Sequence, residues 1–85
     1  MRITIDVPDH TDEEGIPIVF EDEYHIRVWF DISSVVVEAN QSGMITLARA
    51  LLSLACNDVP SGYHIHLDSG FVLGDDSVNL TLMRT

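Results

Sequence analysis

One change in the spacing of apolar residues constrains the fold of this chain more than any other feature. Short stretches in which apolar and polar residues alternate are interrupted, near the middle, by a run with helical spacing. That run consists of Met44, Leu47, Ala48, Leu51, Leu52 and Ala55. Because apolar residues at i, i+3 and i+4 share one helix face, the run predicts an amphipathic helix over 41–56. Asn40 or Ser42 is expected to cap its start, and Asn57 and Pro60 to end it.

Stretches that alternate apolar and polar residues, or that are rich in β-branched and aromatic residues, predict β-strands on both sides of this helix. They are residues 3–7, 18–20, 24–30, 35–39, 63–67 and 78–82. We expect 18–20 and 24–30 to form a hairpin through an acidic turn, and 35–39 to add a third antiparallel strand. The expected architecture is a single α+β domain over residues 1–85. In it, a mainly antiparallel sheet of about five strands carries the helix on one face.

Acidic residues dominate the charge of the chain. Fourteen Asp and Glu residues stand against four Arg and no Lys, which gives a formal net charge of −10. Such a chain repels the phosphates of nucleic acids and anionic membrane surfaces, so neither is expected as a partner. Hydrophobic residues still make up 46% of the sequence, which is too many for a disordered acidic tail. These properties predict a folded domain with an acidic exterior.

The sequence carries no signal for export or membrane insertion. Its first residues lack the apolar region of a signal peptide, and no apolar run approaches the roughly 18 residues needed to span a bilayer. Cys56 is the only cysteine, so an internal disulfide cannot form and a reducing compartment is the simplest location. We therefore expect a cytoplasmic protein.

Carboxylates cluster in two segments that flank the expected strand 18–20. They are Asp9, Asp12, Glu13 and Glu14 in the first segment, and Glu21, Asp22 and Glu23 in the second. Solvated surfaces usually account for such clusters. However, this much uncompensated charge opposes folding by self-repulsion, and it speeds the capture of a basic partner. We predict that both clusters bind such a partner, with Trp29 as an apolar anchor.

Two histidines and an aspartate occupy alternate positions near the expected strand 63–67. Because strand side chains alternate between two faces, His64, His66 and Asp68 should project to one side. They could share a metal ion, form a pH-sensitive contact, or hold neighbouring loops by hydrogen bonds. A catalytic zinc site normally needs three protein ligands, and no further candidate has a diagnostic spacing. The further candidates are His10, His25, Asp75 and Asp76.

No motif for covalent catalysis is present in the sequence. Cys56 belongs to the apolar helix pattern, and there is no Gly-x-Ser-x-Gly elbow. The chain also lacks a glycine-rich phosphate loop and a basic strip with interleaved aromatic residues. We therefore expect neither an enzyme nor a bound cofactor.

The second half of the chain carries a distinctive series of residues. The series is Asn40, Gly43, Leu47-Ala48-Arg49, Leu51-Leu52, Leu54-Ala55, Val59-Pro60-Ser61-Gly62, His64, His66-Leu67-Asp68, Leu73, Asp75, Ser77-Val78 and Leu80. It resembles immunity protein family thirty-two of bacterial polymorphic toxin systems. The Gly-x-His-x-His-Leu-Asp string after a leucine-rich helix is its most specific part, whereas the N-terminal half matches only in general character.

The resemblance implies a small cytoplasmic protein that binds a cognate toxin domain and blocks it without catalysis. Toxins in such systems are often nucleases with basic surfaces, which an acidic inhibitor would occupy in place of the phosphate backbone. His64, His66 and Asp68 would then be scaffold residues at one edge of the binding surface. Two alternatives stay open. One is a small metal-dependent hydrolase that uses His64 and His66, and the other is a homodimer formed through an edge strand.

Overall fold

Two β-hairpins with a helix between them form the regular structure of the computed structural model, which describes residues 1–8 and 15–85. In chain order the elements are β1 (Ile26–Asp31), β2 (Ser34–Ala39), α1 (Gln41–Leu54), β3 (His64–Leu67) and β4 (Leu80–Met83). β1 pairs with β2, and β3 pairs with β4, in both cases antiparallel. The α+β class predicted from the sequence is confirmed. Within these residues, no helix has the length and apolar character that crossing a membrane requires.

Residues 74–78 cover the edge of β1 that faces away from β2. The amides of Gly74 and Val78 donate to the carbonyl oxygens of Ile26 and Val28, at 2.9 and 2.7 Å. The Ser77 hydroxyl accepts from the Val28 amide at 3.2 Å. β1 is therefore bonded along both edges, and β2 is an outer strand. The same stretch of chain continues into β4, which connects the two hairpins.

Asn40 fixes the start of α1. Its side-chain oxygen accepts from the amide of Gly43 at 2.8 Å and from the amide of His25 at 3.0 Å. Its side-chain nitrogen donates to the carbonyl oxygen of Glu23 at 2.9 Å. The first bond is the predicted N-cap, and the other two attach the helix to the segment before β1. Gly43 permits this close approach, because a Cβ there would collide with the carbonyl oxygen of His25.

The core is formed by side chains from β1, α1, β3, the segment before β1 and the loops that follow α1 and β3. Its buried residues are Ile16, Ile26, Val28, Ala50, Leu54, Val59, Ile65, Leu67, Val72 and Leu73. Two polar side chains of α1 are buried as well, and both bond within the helix. Thr46 donates to the carbonyl oxygen of Ser42 at 2.9 Å, and Ser53 donates to that of Arg49 at 2.8 Å. The burial of these hydroxyls is therefore compensated.

The predicted sheet of about five strands is not confirmed. The described residues contain four strands in two separate two-stranded sheets, and the expected strands 3–7 and 18–20 belong to neither. Residues 3–5 instead line an apolar groove against the outer face of α1. The carbonyl oxygen of Asp6 accepts from Arg49 of the helix at 3.1 Å. The N-terminal segment thus makes its contacts with α1 rather than with a sheet.

The predicted hairpin between residues 18–20 and 24–30 does not form, because β1 pairs with β2 instead. The two-residue turn between β1 and β2 closes a ladder of six cross-strand pairs, from Ile26 opposite Ala39 to Asp31 opposite Ser34. Residues 18–20 could form at most three such cross-strand pairs with β1, half as many as β2 forms. The expected pairing of 24–30 with 35–39 is confirmed.

Candidate functional site

The acidic turn predicted to contact a partner lies directly before β1. The Tyr24 amide donates to the carbonyl oxygen of Glu21 at 3.3 Å, which closes the turn, and Asp22 and Glu23 at its tip are exposed. The turn adjoins β2 as well, through the bond between Asn40 and the Glu23 carbonyl. The residues of the other predicted cluster, Asp9, Asp12, Glu13 and Glu14, lie outside the described residues.

Glu21 differs from its neighbours because its charge is matched within the chain. Its carboxylate lies 2.8 Å from Nη2 of Arg49, whose side chain is only 13% exposed. Nε of the same guanidinium donates to the Asp6 carbonyl, and Nη1 is buried without a hydrogen-bond partner in the described part of the chain. Arg49 therefore ties the N-terminal segment and the acidic turn to α1. Of the turn's three carboxylates, Asp22 and Glu23 are the more accessible to a partner.

Trp29, the predicted apolar anchor, is half-buried on the outer face of β1, opposite to the face that carries Phe30. The guanidinium of Arg27 lies 4.9 Å from the centroid of its ring, which is within the range of a cation–π contact. Arg27 is held in turn by Asp76 at 3.0 Å and by Glu38 at 3.8 Å. The indole is thus fixed beside a cation that already has acidic partners. Its role as an anchor stays a prediction.

The two histidines of β3 lie side by side on an exposed face. Their ring centroids are 4.7 Å apart, and the rings are close to perpendicular. Nδ1 of His64 lies 3.0 Å from the carbonyl oxygen of Gly62, and Nδ1 of His66 lies 3.2 Å from the hydroxyl of Thr81 on β4. Within residues 1–8 and 15–85, no three His, Cys, Asp or Glu side chains are placed to hold a metal ion together. The scaffold role of the two histidines stays a prediction.

Asp68 belongs to the loop after β3 and acts there through its backbone. Its carbonyl oxygen accepts from the amides of residues 71–73, at 3.0 to 3.3 Å. Next to it, the Ser69 hydroxyl donates to the carbonyl oxygen of Asp75 at 2.8 Å, and the Ser69 amide donates to the Asn79 side chain at 2.7 Å. These bonds set the path of the chain toward residues 74–78 and the edge of β1.

The tip of the first hairpin presents exposed apolar side chains that no motif in the sequence indicated. Phe30 is 66% exposed, Ile32 103% and Val35 59%. Phe30 shares a face of β1 with the buried Ile26 and Val28, but the hairpin extends beyond the core and leaves this end of the face uncovered. Ile32 was the available signal, because a large β-branched residue is unusual in a two-residue turn.

A comparison with protein families adds to this geometry. Residues 34–85 match the model of a family described as Immunity protein 32, which is more than half of the chain. The chain belongs to the Immunity protein 32 family. No curated protein and no solved structure matches it.

The Immunity protein 32 match begins at the first residue of β2 and includes α1, β3 and β4. β1 and the acidic turn precede it. The resemblance predicted from the sequence is therefore confirmed. Because immunity proteins neutralise toxins, membership points to an inhibitor rather than to an enzyme.

Proposed function

We propose that this protein binds a cognate toxin domain and blocks it by occlusion, with one inhibitor per toxin. Membership of the Immunity protein 32 family is the observation that carries the proposal. The chain acts as a single domain in the cytoplasm, where the toxin would otherwise act. It needs neither a cofactor nor catalysis of its own, because a bound inhibitor stops the toxin simply by covering its substrate site.

Charge indicates what kind of toxin the inhibitor fits. With a net charge of −10, the protein attracts a cationic surface over several ångströms and repels an anionic one. Enzymes that bind nucleic acids carry cationic surfaces, since phosphate contacts supply most of their affinity. A nuclease is therefore the class of toxin that we propose, with the acidic inhibitor standing where the phosphate backbone would bind.

Within this proposal, steering is assigned to the acidic segments and anchoring to Trp29. Asp22 and Glu23 make the main electrostatic contribution in the acidic turn, because they are exposed and Glu21 is already paired with Arg49. The predicted partner-binding residues are Asp9, Asp12, Glu13, Glu14, Glu21, Asp22, Glu23 and Trp29. His64 and His66 support the edge of this surface as scaffold residues.

Co-expression tests the function directly. We expect cells that produce the toxin domain encoded beside this protein to survive only when the protein is produced as well. The two purified proteins should form a complex of one copy each. Survival that does not depend on this protein, or a toxin that does not bind it, would contradict the proposed function.

Association kinetics test the steering residues. Asp22→Asn combined with Glu23→Gln should lower the association rate constant about three- to tenfold at low salt, and should flatten its dependence on ionic strength. Asp58→Asn combined with Asp75→Asn removes the same charge from exposed positions outside the acidic turn and serves as the control. Equal effects of the two pairs would mean that only the total charge matters, and the acidic turn would lose its assigned role.

A further inference from the structure

The outer edge of β2 carries backbone groups that are free to bond. A two-residue hairpin turn closes on a hydrogen-bonded pair, and bonded and non-bonded pairs then alternate along an antiparallel ladder. Asp31 and Ser34 form the closing pair, so the amides and carbonyls of Val35 and Val37 point away from β1. The bonds of β1 agree with this alternation, because residues 74–78 bond its outward carbonyl oxygens at Ile26 and Val28.

This edge has no cover in the part of the chain that the structure describes. No hydrogen bond from residues 1–8 or 15–85 reaches the outward backbone groups of Val35 and Val37. β2 has six residues, which gives an edge of about 20 Å at roughly 3.3 Å per residue. Natural proteins usually protect such an edge, because an extended segment of another chain can add to it as a further strand.

The tip beside this edge is apolar at a cost to the fold. Ile32 has a φ of 55°, in the left-handed region that β-branched residues strongly disfavour, and its side chain contacts solvent instead of the core. Gly or Asn would form the same turn with less strain. A strained and fully exposed isoleucine contributes nothing to folding, so its use lies in a contact with something else.

Charge identifies the kind of chain that fits this surface. The outer face of the hairpin carries Asp31 and Glu38, and its single cation, Arg27, is already held by Glu38 and by Asp76. At the other end of β2 lies the acidic turn, connected through Asn40. A second copy would place like charges against one another and carries a net charge of −10 itself. A cationic segment meets opposite charge at both ends of the edge.

We propose that the β1–β2 hairpin is the docking element for the toxin, through two contacts. β2 adds an extended, cationic segment of the toxin to its free edge, and Phe30, Ile32 and Val35 at the tip insert into an apolar surface beside that segment. This inference rests on the proposed function and names the surface that performs it. It also explains how an inhibitor this small holds its target, since backbone bonds and an apolar anchor are combined on one hairpin.

A matched pair of phenylalanines tests the anchor. Phe30→Ala should raise the dissociation constant for the toxin domain encoded beside this protein by about tenfold or more. Phe71→Ala removes an equally large side chain that is 87% exposed in a turn outside the hairpin, and should change the constant less than about twofold. Thermal unfolding of both variants checks that the fold is kept. Equal affinities of the two variants would overturn the inference.

Substitution of Ile32 separates a docking role from a structural one. Ile32→Asn relieves the left-handed strain, so the midpoint of urea unfolding should rise, while the dissociation constant for the toxin domain should increase about tenfold or more. A residue with only a structural role would not become more stable and bind less tightly in the same variant. A more stable variant that binds the toxin as tightly as the unchanged protein contradicts the proposal.

Amide hydrogen exchange tests the added strand. Exchange at Val35 and Val37 should slow at least about tenfold in the complex, because the toxin segment bonds these amides. Unchanged exchange at both positions contradicts edge pairing.

The possible outcomes distinguish this inference from the proposed function. If the unchanged protein does not bind the toxin, the proposed function fails. If it binds and the Phe30 and Ile32 variants bind equally well, only the docking surface fails. Sedimentation of the protein alone tests whether a second copy occupies the hairpin instead. A dimer that Phe30→Ala dissociates would assign the hairpin to self-association and overturn the inference.

Discussion

At the scale of single residues, Asn40 combines three tasks in one side chain. It caps α1, accepts from the His25 amide and donates to the Glu23 carbonyl. Asn40→Ala should lower the free energy of unfolding by about 1–2 kcal/mol, because the cap is lost along with two other bonds. Asn40→Asp keeps the acceptor oxygen and loses only the donor, so it should lose less. Urea unfolding monitored by circular dichroism measures both variants.

Asn57→Ala is the control for that series. Asn57 is an exposed residue of the same type that follows α1, and its substitution should change the free energy of unfolding by no more than about 0.5 kcal/mol. Equal losses from Asn40→Ala and Asn57→Ala would show that the three bonds of Asn40 add little stability.

Asn40 also shows which residue roles a sequence reveals. It was one of two residues predicted to cap α1, because a cap and the helix that it begins are neighbours in the chain. Its bonds to His25 and Glu23 were not predicted, because they depend on how the segment before β1 packs against the helix. Gly43 belongs to the same contact. Position 43 requires glycine because a Cβ there would collide with the carbonyl oxygen of His25, which is distant in the sequence.

At the scale of elements, local patterns predicted the helix and the pairing of 24–30 with 35–39, but not the hairpin with 18–20 or the five-stranded sheet. The apolar spacing of α1 and the β-branched run of β2 are properties of consecutive residues, and both elements formed where expected. The N-terminal segment has a strand's alternation, yet it lies against α1. Residues 74–77 lie outside every strand expected from the sequence, yet Gly74 and Ser77 bond the edge of β1. Pairing of this kind is decided by the tertiary packing, which the alternation of a single segment does not encode.

Arg49 connects three elements, so its removal should act on all of them. Arg49→Met breaks the bond to the Asp6 carbonyl and the ion pair with Glu21. We expect faster amide exchange in residues 1–8 and 21–24, and a loss of about 1–3 kcal/mol in the free energy of unfolding. Methionine can fill the apolar part of the site, so the helix itself should persist.

Arg2→Met makes the same change of charge at an exposed position and is the control for Arg49. It should leave exchange in the acidic turn unchanged. If both variants loosened the turn equally, the effect would arise from the added net charge, and the contacts of Arg49 would not be its cause.

At the scale of the whole molecule, surplus negative charge opposes the folded state that displays it. The −10 charge is held within a radius of gyration of 13.4 Å, which is comparable with the distance over which charges interact at low salt. The described ion pairs offset part of this repulsion, but the two pairs of Arg27 are exposed to solvent, since the side chains of Glu38 and Asp76 are 55% and 72% exposed. Exposed pairs contribute about 0.2–1 kcal/mol each. Repulsion should therefore outweigh attraction.

Stability should consequently rise with salt. Between roughly 0.05 M and 0.5 M sodium chloride, screening shortens to below about 8 Å, and we expect the free energy of unfolding in urea to increase on the order of 1 kcal/mol. Chloride is preferred to sulfate because sulfate also strengthens apolar burial. The variant with Asp22→Asn and Glu23→Gln has less repulsion to screen, so its increase should be smaller. A free energy of unfolding that fell with salt would mean that the ion pairs outweigh the repulsion. The acidic surface would then not destabilise the fold, and its charge would need no explanation by binding to a basic toxin.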